Sequence, residues 1–497
     1  MTDEFTIDQK PASLADVPGF KAGVVSCKLT ESGNDLGVLY CPGDNGSGSA
    51  ALSRNAVAAA STRVSSPRAA AGGVRAIVVN AGSANCCTGE EGYRAARELV
   101  AAAASELDVT QDRVVIASTG PIGKALDLEA ALGGLAKACT QAKDKGNGAL
   151  ASVLTPYGLE KCVASGAGSI EGVAFRVAGA ATPASLVAED APSRVVVIAT
   201  DAAIKPACLR EITQSIAAET LTKWAMDEGP GTNDMLCILA SGEAGNDPVE
   251  IPLAAESLRR GLLRIATELV IDRAFVGDRS MRLVEVAVTG ASSDEDALAI
   301  ARAIAASVPV RISMHIAAPR WGLILAAAGK ARARVVESRA TLRISGETVF
   351  DRGKGIQATT EALAEKLREP RVQIALDLGI GESSATLWTS ALSDGEKHRV
   401  QRYEDRLEAE SVRRKSLDKR IEELEAVAKE VEDLRAKVEM SEKSIEQAEK
   451  MQKEREELEE KLAAAEKVKT AAMKETKSLR VQLEIAEGKI KKLHSGG

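Results

Sequence analysis

The 497-residue chain has few aromatic residues: three Trp, four Tyr and five Phe, 2% of the total. Its core must therefore be built from Ala, Val, Ile and Leu, and base-stacking platforms and aromatic cages are excluded. Histidine is almost missing, and three residues (His315, His398 and His494) exclude a multi-histidine metal site. Basic charge is not in excess. Sixty-four Lys and Arg against 71 Asp and Glu leave a net charge of −7, so broad binding to nucleic-acid phosphates is not expected. No apolar run approaches the ~20 residues that a membrane helix needs, so no membrane partner is expected either. Residues 1–10 carry three acidic side chains and no apolar h-region, unlike a secretory signal.

Eight cysteines are present, at positions 27, 41, 86, 87, 139, 162, 208 and 237, and none forms a Cys-x-x-Cys pair. A chain this long needs no disulfide staples, so they read as free thiols in a reducing, cytoplasmic compartment. The adjacent Cys86 and Cys87 read as packed thiols beside a turn.

The sequence changes character near residue 395. Beyond it there is no Pro or Cys, and Tyr403 is the only aromatic. Helix formers dominate, and apolar or small residues recur every three or four positions. Leu417, Ile421, Leu424, Ala428 and Val431 make one seam. Leu458, Leu462, Ala465, Ala472, Leu479, Leu483, Ala486, Ile490 and Leu493 make another, interrupted by Lys469 and Thr476. A register break is expected near residues 434–451. The pattern predicts a coiled coil over 396–497, associating with itself or with a partner helix.

Before residue 395 strands and helices alternate irregularly. β-branched runs predict strands at Gly23–Cys27, Arg75–Val79, Arg113–Ala117, Arg194–Ala199, Met235–Ala240, Leu283–Thr289, Arg371–Leu376 and Ala385–Trp388. Amphipathic patterns predict helices at Glu90–Leu107, Leu126–Ala142, Cys208–Met226 and Asp294–Ala306, the last with a Ser292/Glu295 capping box. Asn45–Gly72 reads as a long loop or weak helix. His315, in a strand-like run, reads as a packed residue. The class is α+β with stacked helical and sheet layers.

Four small-residue segments follow or precede strands. They are Asn80–Gly89, Ala117–Gly123, Gly231–Asp234, and Ser193 just before the strand Arg194–Ala199 with Thr200-Asp201 at its far end. Taken one at a time these are ordinary turns. A Thr-Gly pair such as Thr119-Gly120 also has the means to aim a hydroxyl and backbone N–H groups at one spot, as an oxyanion hole requires. Asp201 and Asp234 read equally well as caps or turn formers.

Their order resembles the ornithine acetyltransferase family, also called bifunctional glutamate N-acetyltransferases. The likeness spans about Val17 to Ser390. It includes Val17-Pro18-Gly19-Phe20, Thr200-Asp201-Ala202-Ala203-Ile204, Thr232-Asn233-Asp234, Val288-Thr289-Gly290, Pro319-Arg320-Trp321-Gly322 and Leu376-Asp377-Leu378-Gly379. The resemblance implies a layered αββα fold. It also implies self-cleavage before a nucleophile, which then carries acetyl from N-acetylornithine to glutamate with the freed α-amine as base. No metal or organic cofactor is implied. Counting back from Thr200-Asp201 places the nucleophile at Ser193, with Thr119 and Gly120 as the oxyanion pair. The expected domains are then 1–192 and 193–395, the two halves of the acetyltransferase-like domain, and 396–497.

Several positions depart from the family. Ser193 replaces its Thr, and Pro192 precedes the scissile bond in place of Ala. Thr182 stands where a substrate-binding Lys is expected, and Asp278 where a Glu is expected. No counterpart of the family's C-terminal Asn and Thr follows Ser390. Weighed together, these losses predict a pseudoenzyme that serves as an oligomeric structural scaffold or assembly protein, in a cytoskeletal or other filamentous setting. The alternative is an active acetyltransferase working through an acyl-enzyme on Ser193.

Overall fold

In the computed structural model the described residues are 5–144, 146, 148–155, 162–183, 193–225, 230–251, 256–272, 282–318, 320–356 and 360–391, with 416–417, 419–421, 423–429, 431–432, 459–478 and 480 in the tail. The chain divides into two compact units, Met1–Asp394 and Gly395–Gly497.

In the first unit the strand alternation builds the layers. A four-stranded sheet runs in the order Lys21–Val25, Leu36–Tyr40, Ala76–Asn80 and Val114–Ser118. A six-stranded sheet runs in the order Thr6–Ile7, Cys162–Ile170, Val173–Ala181, Val195–Thr200, Met235–Ala240 and Ser47–Leu52. Their inner faces meet: Ile77, Val79 and Val115 of the first share one core with Val195, Val197, Cys237 and Leu239 of the second. Val196 and Ile198, one residue out of phase, instead face Leu209, Ile212, Leu262 and Ile265 of helices Pro206–Glu219 and Glu256–Thr267. On the other side Val64, Leu99 and Leu135 of helices Ala60–Ala71, Gly89–Leu107 and Leu128–Asp144 cover the four-stranded sheet. Fully burying a Val or Leu contributes about 1.5–3 kcal/mol, so aliphatic residues suffice for these cores without aromatics. Close approach is part of the design. A Cβ on Gly23 would stand 1.9 Å from the Ala138 carbonyl oxygen, so only glycine lets helix Leu128–Asp144 lie on its strand.

A third sheet, with Leu283–Ala291 between Arg371–Asp377 and Ser383–Ser390, packs under helices Asp294–Ala305, Val308–His315 and Gly322–Ala328. Trp321 sits at the start of the last helix, its ring 5.9 Å from that of Phe350.

Some local expectations are corrected. Asn45–Gly72 holds a buried strand, Ser47–Leu52, and a helix, Ala60–Ala71. The strand is Gly- and Ala-rich, and its pairing with Met235–Ala240 stabilises it where local propensity does not. The helix Asp294–Ala305 is capped by Ser293, whose side chain accepts from the Asp296 N–H, while Ser292 bonds the Asp296 carboxylate. His315 ends a helix, and Val308–Pro309 starts it. Helix Pro206–Glu219 stops well short of Met226, giving way to a 3-10 turn at Leu221–Lys223.

In the second unit the described stretches within 416–432 and 459–480 are helical. Their least exposed side chains include Leu417, Leu424, Val431 and Ala472, all positions of the expected seams. Arg420 and Glu475 form an ion pair at 3.4 Å between the two stretches. The expected register break near residues 434–451 lies outside the described residues.

Candidate active site

The site lies where the ends of two strand pairs meet. Strands Ala76–Asn80 and Val114–Ser118 run parallel, and Asn80 pairs with Ser118 at their ends. Ser118 Oγ donates to Asn80 Oδ1 (2.7 Å), and Asn80 Nδ2 donates to the Ser83 carbonyl (3.0 Å). These bonds hold the two following loops side by side. In one loop Gly120 has φ +136°. A Cβ there would lie 2.6 Å from the Ser83 nitrogen, so the loops touch only because glycine occupies this position. Thr119 is buried, its N–H donates to the Asn80 carbonyl (2.9 Å), and its Oγ1 has no hydrogen-bond partner among the described residues. A buried hydroxyl without a partner is costly unless a ligand completes it.

Across from these loops, strands Val195–Thr200 and Met235–Ala240 also run parallel and place their starts together. Ser193 is 2% exposed. Its Oγ accepts from the Asn233 N–H (2.8 Å) and lies 3.4 Å from Thr232 Oγ1. Asn233 ties this end to the loops. Its Nδ2 donates to the Ala84 carbonyl (2.7 Å), and its Oδ1 accepts from Ser61 Oγ (2.5 Å) and Thr62 Oγ1 (3.3 Å). The Ala84 N–H in turn donates to the Pro121 carbonyl (3.2 Å). One buried residue, through its backbone N–H and its side-chain amide, therefore links the Ser193 hydroxyl to the Thr119-Gly120 turn and to helix Ala60–Ala71. Asp234 fixes the neighbouring backbone, accepting from the Arg194 N–H (2.8 Å) and the Gly231 N–H (2.8 Å). Asp201 is likewise a backbone anchor, accepting from the Arg176 N–H (2.7 Å). Its burial raises its pKa above the usual carboxylate value.

Thr182 lies beside Ser193, each just outside one of two paired strands, Val173–Ala181 and Val195–Thr200. Its hydroxyl donates to the Ser193 carbonyl (3.3 Å) and accepts from the Val195 N–H (3.0 Å). It clamps the backbone on both sides of residue 194 and brings no charge. Asp278 and Pro192 lie outside the described residues.

Sequence reasoning missed Asn233 as a hub, together with Ser61 and Thr62. It also missed Arg194. That guanidinium is buried, stacks 3.9 Å from the centre of the Trp224 ring and donates through Nη1 to the Val270 carbonyl (2.9 Å). Its Nε and Nη2 have no hydrogen-bond partner among the described residues, and burial lowers its pKa to about 10. The expectation for the two adjacent thiols is half corrected. Cys86 is buried, but Cys87 is exposed, its backbone in the left-handed region.

The family profile described as "ArgJ family" matches residues 21–396. The chain belongs to the ArgJ family. This is the ornithine acetyltransferase family that the motifs resemble. An "Arginine biosynthesis bifunctional protein ArgJ" of Mycolicibacterium paratuberculosis is 31% identical over 387 residues, covering 76% of this chain and 93% of its own. One from Chlorobaculum tepidum is 29% identical over 385 residues, with the same shares. A crystal structure of the arginine biosynthesis bifunctional protein from Bacillus halodurans is 26% identical, covers 40% of this chain and 95% of its own, and gives a TM-score of 0.38.

These relatives overturn the expectation of a pseudoenzyme scaffold in a cytoskeletal assembly. The likeness runs through three quarters of the chain, and the proteins that share it are named for arginine biosynthesis. The reasoning behind that expectation counted lost side chains. No single helix among the described residues is long and apolar enough to cross a membrane.

Proposed function

We propose that the chain is an acetyltransferase of the ornithine acetyltransferase type. In this reading it moves acetyl from N-acetylornithine, or another acyl amine, to glutamate through an acyl-enzyme on Ser193, after self-cleavage of the Pro192–Ser193 bond. The observation that carries it is the buried Ser193 hydroxyl, positioned by the Asn233 N–H and tied through Asn233 and Ala84 to the loop of Thr119. The names of the relatives support the same reading.

The chemistry follows from the geometry. Accepting from Asn233 leaves the Ser193 proton free to transfer and fixes the oxygen's remaining lone pair. Cleavage frees the Ser193 α-amine, which takes that proton as the hydroxyl attacks the acyl carbon. The Thr119 hydroxyl, with the Gly120 N–H that the family likeness implies, receives the developing oxyanion. Thr182 holds the Ser193 carbonyl still during both steps. Because Thr182 is neutral, recognition of the acyl donor's carboxylate falls to other groups. A cytoplasmic location fits both the biosynthetic relatives and the eight free thiols. For the tail, pairing of its helical stretches within the chain is supported by the Arg420–Glu475 ion pair.

Denaturing electrophoresis with an acetyl-transfer assay tests the reading. Wild type is expected to give two fragments, 1–192 and 193–497, and to transfer acetyl from N-acetylornithine to glutamate. Ser193→Ala is expected to stay intact and inactive. A wild-type chain that is intact and inactive toward both N-acetylornithine and other N-acyl amines would sink it.

A further inference from the structure

Two thiols border the acyl site without a part in the proposed reaction. Cys86 and Cys87 are adjacent in sequence, and their Sγ atoms stand 3.8 Å apart. Of the eight cysteines Cys87 alone is exposed, whereas Cys86 is buried. Cys86 Sγ bonds the Val57 carbonyl (3.3 Å), and Thr232 is a near neighbour that acts on the thiol. Thr232 Oγ1 lies 3.4 Å from Ser193 Oγ. A row of neighbouring side chains therefore runs from a solvent-facing thiol to the nucleophile.

We propose that Cys87 and Cys86 form a reversible modification site, a vicinal dithiol that closes to a disulfide by exchange with a small disulfide of the glutathione class and so shifts Cys86 beside Thr232. Only the effect on acyl transfer rests on the Ser193 reading. Cys87, the accessible thiol, attacks one sulfur of the small disulfide and expels the first small thiol, which takes the Cys87 proton. Cys86 then attacks the Cys87 sulfur and expels the second small thiol with its own proton. Two protein thiols are oxidised, and one small disulfide is reduced to two thiols. Closure draws the sulfurs from 3.8 Å to about 2.05 Å, which pulls Cys86 off its bond to Val57 and moves it relative to Thr232. Neighbouring Cα atoms lie about 3.8 Å apart, under the usual disulfide range of ~4.4–6.8 Å, so the ring is strained and easily reduced. Such a bond suits a labile switch better than a structural staple. Burial of Cys86 raises its pKa, which leaves the first attack to Cys87 and the closing step to Cys86.

The test uses the full-length chain treated with oxidised glutathione, with phenylarsine oxide as a separate dithiol probe. Closure is expected to lower the mass by about 2 Da without retained glutathione. Phenylarsine oxide should bind one to one, losing water, and neither Cys87→Ser nor Cys86→Ser should bind it. Acyl transfer should fall by about tenfold, as expected when a neighbour of the nucleophile's surroundings is displaced, and should return with dithiothreitol. A stable mixed disulfide on Cys87 with Cys86 still open to alkylation would overturn the proposal. Closure with unchanged acyl transfer would overturn its link to Ser193. A chain inactive both before and after oxidation would count against the Ser193 reading, and the mass and arsenical measurements would still decide the dithiol.

Discussion

Asn233→Ala removes the side chain that joins the two halves of the site. The amide makes three buried hydrogen bonds, to the Ala84 carbonyl and from the Ser61 and Thr62 hydroxyls. Each stranded partner costs about 1–3 kcal/mol. Partial relaxation, with the hydroxyls turning to other acceptors, brings the expected total to about 3–6 kcal/mol. For a unit of 394 residues, an unfolding entropy of about 2.1 cal/mol/K per residue gives roughly 0.8 kcal/mol/K. The melting temperature should therefore fall by about 4–7 °C. Acyl transfer should fall further than stability alone explains, because the Asn233 N–H holds Ser193 Oγ and loses its anchor. Differential scanning calorimetry, with acetyl transfer measured well below the melting point, reads both. A shift under about 1 °C with normal turnover would show that Asn233 does not tie the loops to the nucleophile.

Arg194→Met should raise the melting temperature, because it replaces a buried and partly unpartnered charge with an apolar chain of similar reach, a change often worth about 1–4 kcal/mol; a lower melting temperature would mean that the Trp224 stack outweighs desolvation. The pKa of Asp201 is raised by burial, so its contribution to stability is complete below its unfolded pKa and is lost as pH rises through the folded value. Asp201→Asn keeps the acceptor for the Arg176 N–H, and its stability relative to wild type should climb from about pH 4 upward; melting curves that stay parallel across pH would contradict this. Helix pairing within the tail predicts circular-dichroism helicity that does not change with protein concentration in the full chain, whereas a steep rise with concentration would point to pairing between chains.

The sequence made the strands legible where β-branched residues cluster. Met235–Ala240 matches its expected bounds, and Arg194–Ala199 is off by one residue at each end. It hid Leu36–Tyr40 and the hairpin of Cys162–Ile170 with Val173–Ala181. The hairpin is rich in Gly and Ala, so its pairing comes from long-range packing and not from local preference. Ser193, Thr119 and Gly120 were found by motif order. Asn233 was visible within Thr232-Asn233-Asp234, but its role was not, because its partners Ser61, Thr62 and Ala84 lie about 150 or more residues away in sequence. Arg194 escaped for a related reason. Alternation turns it away from the face of Ser193, and its stacking partner Trp224 lies beyond helix Pro206–Glu219, bridged to Trp388.

Val177–Ala181 pairs with Val196–Thr200 in the middle of a six-stranded sheet, so the chain before residue 193 and the chain after it are woven into one layer. A cut at that point would not release two pieces. Both polypeptides would travel together through gel filtration as a single particle, and an affinity tag on either one would recover the other.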